Sequence, residues 1–272
     1  MEKKDKQPLV SVVMATFNEP AEYISQSIES ILHQTYSHIE LIIADDSTNE
    51  DTRSTIDLYA KQDSRVTVIR ESTRMGIAIA RNKCFQRAKG QYITIMDGDD
   101  VSLPNRIERQ IAFACDNPDV DLFGGHINII NENGNVVAQR KYKTSTNGFL
   151  RMFIFRNPLA HPTIFFKRHI IDEGFFYDID YKKAEDLEFY LRLFKNGFHL
   201  TNMDEFLLNY RIIGDMQKKR KYDNWYFNHK ARTKNFNWHR PVFSILSWCI
   251  SYIYLYVPSK VVSLLYKKEN NG

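Results

Sequence analysis

Four short runs of branched apolar residues, each followed by a stretch with helical spacing, limit what this chain can fold into. Leu9–Ala15, Glu40–Ala44, Val66–Ile69 and Tyr92–Met96 are rich in Val, Ile, Leu and Met. Leu9–Ala15 in particular is almost unbroken, as in a strand buried on both faces of a parallel sheet. Pro20 can open a helix in which Ile24, Ile28, Ile31 and Leu32 keep helical spacing. Further helices are predicted near Asp51–Gln62, at Ile77–Ala88 with Gly90 as its stop, and at Pro104–Cys115. Strands alternating with helices predict an α/β fold with a mostly parallel sheet.

After about residue 120 the rhythm changes. Asp121–Asn131 and Val136–Tyr142 flank the turn-forming run Asn131-Glu132-Asn133-Gly134-Asn135. A helix at Thr146–Phe155, a strand at Thr163–Lys167, a helix at Ala184–Asn196 stopped by Gly197, and an extended stretch at Phe198–Tyr210 follow. The 272 residues make one large domain, or one domain with an appendage. With 43% apolar and 26% charged residues the chain is neither disordered nor low-complexity. Cys84, Cys115 and Cys249 form no paired motif, which disfavours a disulfide framework or zinc knuckle and predicts a reducing compartment. The amino terminus has no apolar segment of secretory type, so a cytosolic chain is expected.

In open parallel sheets, ligands bind beyond the carboxyl ends of the strands. Three such ends are polar here: Thr16-Phe17-Asn18-Glu19, Asp45-Asp46-Ser47 and Asp97-Gly98-Asp99-Asp100. Five aspartates at two neighbouring ends repel unless cations or hydrogen-bond donors compensate. One aspartate alone reads equally well as a helix cap or turn. The Asp97–Asp100 cluster fits a hard divalent ion that shares phosphate oxygens. No glycine-rich phosphate loop of the GxGxxG or GxxxxGK type is present. Farther on, Glu185 and Asp186 open the helix whose apolar positions are Leu187, Tyr190, Leu191 and Phe194. They suit the positive end of a helix dipole, or a general base facing a pocket.

With these residues the chain resembles the family 2 glycosyltransferases, which have the GT-A fold and use nucleotide-diphosphate sugars. The likeness spans about residues 8–212. It rests on Val10–Asn18, on Gln34-Thr35-Tyr36 with Glu40–Ser47, on Gly76 with Ala80-Arg81-Asn82, on Asp97-Gly98-Asp99-Asp100, on His161-Pro162 and on Glu185-Asp186. Each motif is weak alone; six in this order are specific. The resemblance implies a Rossmann-like GT-A domain at 1–212, with a nucleotide half at about 8–120 and an acceptor half at about 121–212. It implies that Thr16, Glu19, Asp45, Arg81 and Asp97 bind the nucleotide, usually through uracil at Asp45, and that Asp99 ligates Mn²⁺ or Mg²⁺. Asp186 would be the catalytic base, with His161 and Glu185 on the acceptor side. Arg81 as a surface helix residue and His161 as a packed structural histidine stay open, and Asp46 and Asp100 receive no role. The implied reaction is inverting transfer from a nucleotide-diphosphate sugar, a UDP-sugar by family habit, to a hydroxyl of a glycan or lipid-linked acceptor in surface-polysaccharide synthesis.

The remaining segment, 213–272, is basic, aromatic and apolar, and helices are expected in it. Residues 215–240 hold eight Lys/Arg and two Asp, and 242–257 carry no charge over sixteen residues, short of the ~20 that span a bilayer. Basic flanks on both sides argue against a single span. The reading is amphipathic helices on an anionic membrane surface through 215–268, which would put the protein on the inner face of the cell membrane. A helical cap or an oligomer contact are the alternatives for this segment. A nucleic-acid surface fits its interleaved aromatics but not the uncharged run beside them. Two further readings of the whole chain are a metal-dependent nucleotidyltransferase and a silent membrane scaffold; the intact carboxylates disfavour the second.

Overall fold

The computed structural model describes residues 7–213 and 222–257. The four apolar runs form β1 (Val10–Thr16), β2 (Ile39–Asp45), β3 (Val66–Ile69) and β4 (Tyr92–Asp97). Between them lie α1 (Ala21–Leu32), α2 (Glu50–Gln62) and α3 (Ile77–Arg87). β1 pairs in parallel with β2 on one side and β4 on the other, and β3 extends the sheet beyond β2. The unbroken apolar run of β1 follows from cover on both faces. Val10, Val12 and Met14 join one core with Ile24 and Ile28 of α1, while Val13 joins another with Ala80, Cys84 and Phe85 of α3. All three cysteines are free.

After residue 100 come β5 (Val101–Ser102), α4 (Arg106–Asp116), β6 (Leu122–Ile130), β7 (Val136–Arg140), α5 (Thr146–Phe155), a 3₁₀ turn at His161–Thr163, β8 (Phe165–Lys167), α6 (His169–Asp172), α7 (Glu185–Lys195) and β9 (Leu200–Arg211). One sheet results, ordered β3-β2-β1-β4-β8-β6-β9-β5, with β7 beside β6. Among themselves, strands β1 to β4 pair only in parallel. The antiparallel pairs all involve later strands, although β6 and β9 run parallel. The Asn131–Asn135 turn joins β6 to β7, with Asn131 Oδ1 accepting from the amides of Asn133 and Asn135. The two-residue β5 and the single-turn α6 are too short to carry a periodic signal. The strand expected from Thr163 begins at Phe165, because His161–Thr163 forms the 3₁₀ turn.

The carboxyl-terminal segment is helical, as expected: α8 (Tyr222–Lys234) and α9 (Pro241–Tyr256). Arg232 of α8 is buried and donates to Phe153 O of α5 and to Ser247 Oγ of α9. His229 Nδ1 meets Ser251 Oγ at 2.9 Å, and Ser244 Oγ accepts from Asn237 N. The face of α9 that turns inward is thus a row of buried serines, Ser244, Ser247 and Ser251, with Phe243 packed edge-on against Phe153. The opposite face carries exposed Val242, Ile245, Leu246, Tyr252, Ile253 and Tyr256. The described cations of the predicted basic patch are engaged within the chain. Lys230 lies over the Tyr181 ring, Lys234 pairs with Asp178, and Arg240 lies over Phe194. Lys218-Lys219-Arg220-Lys221 and residues 258–272 lie outside the described residues. Among the described residues no helix is long and apolar enough to cross a membrane.

Candidate active site

β1 stands where the strand order reverses, with β2 and β3 on one side and β4 on the other. A crevice therefore opens beyond the carboxyl ends of β1 and β4. At the end of β1, Thr16 Oγ1 donates to Asp45 Oδ1 at 3.1 Å. Asn18 takes a left-handed φ of 62°, and its side-chain oxygen accepts from the amides of Thr48 and Asn49. Asparagine tolerates this conformation better than most residues. Glu19 accepts from Phe17 N at 2.8 Å, and its carboxyl is pushed up to about 7, first by burial and further by Asp99 and Asp97.

The five aspartates at the ends of β2 and β4 divide by what they touch. Asp45 is buried and accepts from Ser47 N and from Arg70 Nε at 2.7 Å. These partners hold its carboxyl below the usual range despite burial. Asp46 accepts from Met75 N and Gly76 N, which fixes the turn before α3; Gly76 there has a φ of 76°. Asp100 is fully buried and accepts from Arg211 N at 2.9 Å, while burial and then Asp97 and Asp99 raise its pKa well above the ordinary value. Asp97 and Asp99 are half-exposed, as is Asp46. A Cβ at Gly98 would lie 3.0 Å from Ile24 Cδ1 and 3.2 Å from Thr16 Cγ2. Glycine in this motif therefore serves close packing against α1 and β1 rather than flexibility.

Arg81 joins the end of β4 to the start of α7. It is buried on α3 and reaches Asp97 Oδ1 at 2.9 Å through Nη2 and Glu185 Oε1 at 3.2 Å through Nη1. Burial opposes its charge, but Asp97, Tyr177 and Glu185 outweigh burial and raise its pKa. The surface-helix alternative for Arg81 therefore falls away. Next to Glu185, Asp186 accepts from Asn157 Nδ2 at 2.6 Å and from Leu187 N at 2.7 Å. Burial first, then Glu185, lifts its carboxyl to about 7. The preceding Ala184 sits at a φ of 56°, an unfavourable conformation for alanine, where the chain turns into α7. His161 Nε2 lies 2.8 Å from Tyr177 Oη, and burial followed by Arg81 holds its imidazole well below the usual range. It is a neutral, packed side chain at the cavity wall.

Two joined cavities surround these groups. One of about 270 Å³ is lined by Arg81, Asp97, His161, Glu185 and Asp186. The other, of about 470 Å³, adds Arg156, Asn157 and, from α8, Trp225. Arg140, Tyr142, Leu159, Asp186 and Tyr210 line both. Asp97, Arg81, His161, Glu185 and Asp186 are thus brought together, whereas Asp45 stands apart with Thr16 and Arg70. Residue-level reading of the sequence missed Asn157, Tyr177 and Arg211. Arg211 Nε donates to Asp99 O at 2.8 Å and its guanidinium lies 4.2 Å from the Tyr23 ring centroid, so it fixes the aspartate loop. None of the three sits in a spacing that a sequence motif would reveal.

Among the described residues no group of three or more His, Cys, Asp or Glu side chains forms a metal cage. The donor set still fits Mg²⁺ or Mn²⁺. Half-exposed Asp97 and Asp99 with Glu19 nearby offer hard oxygens, and such ions commonly bind one or two carboxylates with substrate phosphates completing the shell.

The model of glycosyl transferase family 2 matches residues 11–176. The chain belongs to this family. It is 34% identical to an uncharacterized glycosyltransferase, MJ1057, of Methanocaldococcus jannaschii, over 84% of this chain and 80% of that protein. It is 35% identical to the O-antigen biosynthesis glycosyltransferase WbnJ of Escherichia coli, over 78% of this chain and 82% of that one. Its fold matches the mannosyltransferase PcManGT of Pyrobaculum calidifontis, solved with GDP-Man and Mn²⁺, at a TM-score of 0.64 and 17% identity, over 94% of this chain and 72% of that chain. The GT-A architecture expected from the motifs is the architecture observed.

Proposed function

We propose that this glycosyltransferase is an inverting, metal-dependent enzyme of surface-polysaccharide synthesis. It moves a sugar from a nucleotide-diphosphate sugar, a UDP-sugar by family resemblance, to a hydroxyl of a glycan or lipid-linked acceptor. The observation that carries the reading is the Arg81 bridge. It holds Asp97, at the donor strand end, and Glu185, beside Asp186 whose carboxyl is raised to about 7, around one cavity. The O-antigen role in the name of WbnJ supports the polysaccharide assignment.

In this reading Thr16, Glu19, Asp45 and Arg81 line the nucleotide side, with Asp45 acting at the base end beside Arg70. Asp99, with Asp97, would hold Mn²⁺ or Mg²⁺, which supplies charge neutralisation to the leaving diphosphate. Asp186 takes the proton of the acceptor hydroxyl, and the oxygen attacks the anomeric carbon. The bond from that carbon to the diphosphate breaks on the opposite face, so the configuration inverts. Asn157 and Leu187 N hold the carboxylate in place. Segment 215–268 attaches the enzyme to the inner face of the cell membrane.

A thermal-shift panel of UDP, GDP, CDP, ADP and TDP with and without Mn²⁺ tests the donor site, since a ligand of the native state raises apparent stability. One nucleotide should stabilise the protein in a metal-dependent way, and Asp99→Ala should lose that shift. A folded protein that responds to none of them would overturn the assignment.

A further inference from the structure

The loop that carries Asp99 is gripped by a side chain from the far end of the domain sequence. Arg211 ends β9 and is 4% exposed. Its guanidinium donates from Nε to Asp99 O at 2.8 Å, from Nη1 to Glu132 O at 3.0 Å and Asn131 O at 3.4 Å, and from Nη2 to Gln26 Oε1 at 2.6 Å. The Tyr23 ring lies against it, and Tyr23 Oη donates to Glu132 O as well. Every oxygen that the side chain reaches is neutral, so its planar fork acts here through geometry rather than ion pairing. Three distant segments, α1, the turn between β6 and β7, and β9, thereby meet at one aspartate carbonyl. Asp97 is held differently, by its carboxylate on Arg81 and its carbonyl on Ser27 Oγ. Arg211 takes Asp99 by the backbone, which fixes the root of the side chain without drawing on the carboxylate oxygens. The amide of Arg211 separately holds Asp100, and that bond survives any change of the Arg211 side chain.

We infer that Arg211 is a positioning residue of the donor site: its fork, closed on the Asp99 carbonyl, the β6–β7 turn and Gln26, sets the stance from which Asp99 holds the divalent ion. Outer partners that orient a metal ligand govern affinity for the ion, and losing one costs about 10–100-fold. This rests on the donor-site reading above and adds to it a residue 112 positions from the ligand that it orients. The dependence falls on the metal and not on the nucleotide base, because Thr16, Asp45 and Arg70 are bonded to one another away from Arg211.

Two titrations of the full chain test this: Mn²⁺ in the presence of UDP, followed by the paramagnetic resonance of the free ion, and UDP without metal, followed by calorimetry. Arg211→Gln should weaken Mn²⁺ binding by about tenfold or more and leave metal-free UDP affinity unchanged. Arg211→Lys keeps the charge but loses the fork, and should fall nearly as far. Gln26→Ala removes one arm of the grip and should fall in the same direction by a smaller factor. Unchanged Mn²⁺ affinity in the Arg211 variants would overturn the proposal. So would tighter binding by Arg211→Gln, or full retention by Arg211→Lys, since either would make charge rather than geometry the cause. An equal loss of metal-free UDP binding would mark a general structural defect and overturn it too. Melting curves identify any Arg211 variant that fails to fold; Gln26→Ala then decides, and unchanged Mn²⁺ affinity there would overturn the proposal. Wild-type protein that binds neither UDP nor Mn²⁺ would instead overturn the donor-site reading on which the proposal rests.

Discussion

At the ends of β2 and β4, carboxylates meet donors inside the fold. Asp45 takes Arg70 and Ser47 N, Asp46 takes two amides ahead of α3, and Asp100 takes Arg211 N. At the start of α7, burial raises the Asp186 carboxyl as it raises that of Asp100, yet Asp186 faces a cavity of about 470 Å³. Both clusters are acidic pairs at element ends, and by sequence alone either reads as capping. The difference lies in what surrounds them. An acid whose oxygens bond the backbone organises a loop. An acid held by a side-chain amide at a cavity wall, with a pKa near neutrality, can exchange a proton with a substrate.

Exchanging chemistry for structure at each cluster tests this contrast. Asp186→Asn should lower kcat by about 10²–10⁴-fold in a labelled-sugar transfer assay and leave metal-dependent nucleotide binding intact. Normal turnover would remove Asp186 as the base. Asp100→Ala should act on stability instead. It strips the buried Arg211 amide of its acceptor, at a cost of about 1–3 kcal/mol in urea unfolding. An unchanged urea midpoint would show that Asp100 is not the anchor of that loop.

The pH dependence sharpens the same comparison. Asp186 must be ionised to accept a proton, so kcat/KM should fall about tenfold per unit below about pH 7. A flat profile from pH 5 to 8 would contradict the raised carboxyl. Stability should run the other way. The folded Asp186 carboxyl has a higher pKa than the unfolded one, near 3.9. Its contribution is therefore complete at low pH and is lost as pH rises from about 4 to about 7. Asp186→Asn should lack that decline. The smallest effect belongs to Ala184→Gly, which relieves the left-handed φ of 56° and should raise the urea midpoint by less than about 1 kcal/mol equivalent. A fall would mean that alanine is not strained there.

Much of the donor side was legible in the residues. The apolar runs placed β1 to β4, and their polar ends marked the crevice, because a parallel sheet exposes only its strand ends. Glu185 and Asp186 stood out as acids at a helix start. Arg81 could be assigned only by resemblance, since one arginine on a helix says nothing of a carboxylate 104 residues away. Asn157, Tyr177 and Arg211 left no local trace. Arg211 is the last residue of β9, yet it secures the loop of Asp99, 112 positions earlier. The α9 sequence reads as an uncharged apolar helix, which by itself does not say which face turns inward. The structure turns its serines inward, because Arg232 and His229 need partners there.

The sequence by itself determined the alternation of strands and helices, the parallel sheet of the first half, and the acids at strand and helix ends. These depend on periodicity and on residues adjacent in the chain, where the physics is local. Tertiary structure alone decided which acids bond the backbone of a loop and which face a cavity, and which face of α9 met the domain. Those outcomes depend on burial and on partners far apart in the chain, and the balance between desolvation and a neighbouring donor exists only once distant segments are packed together.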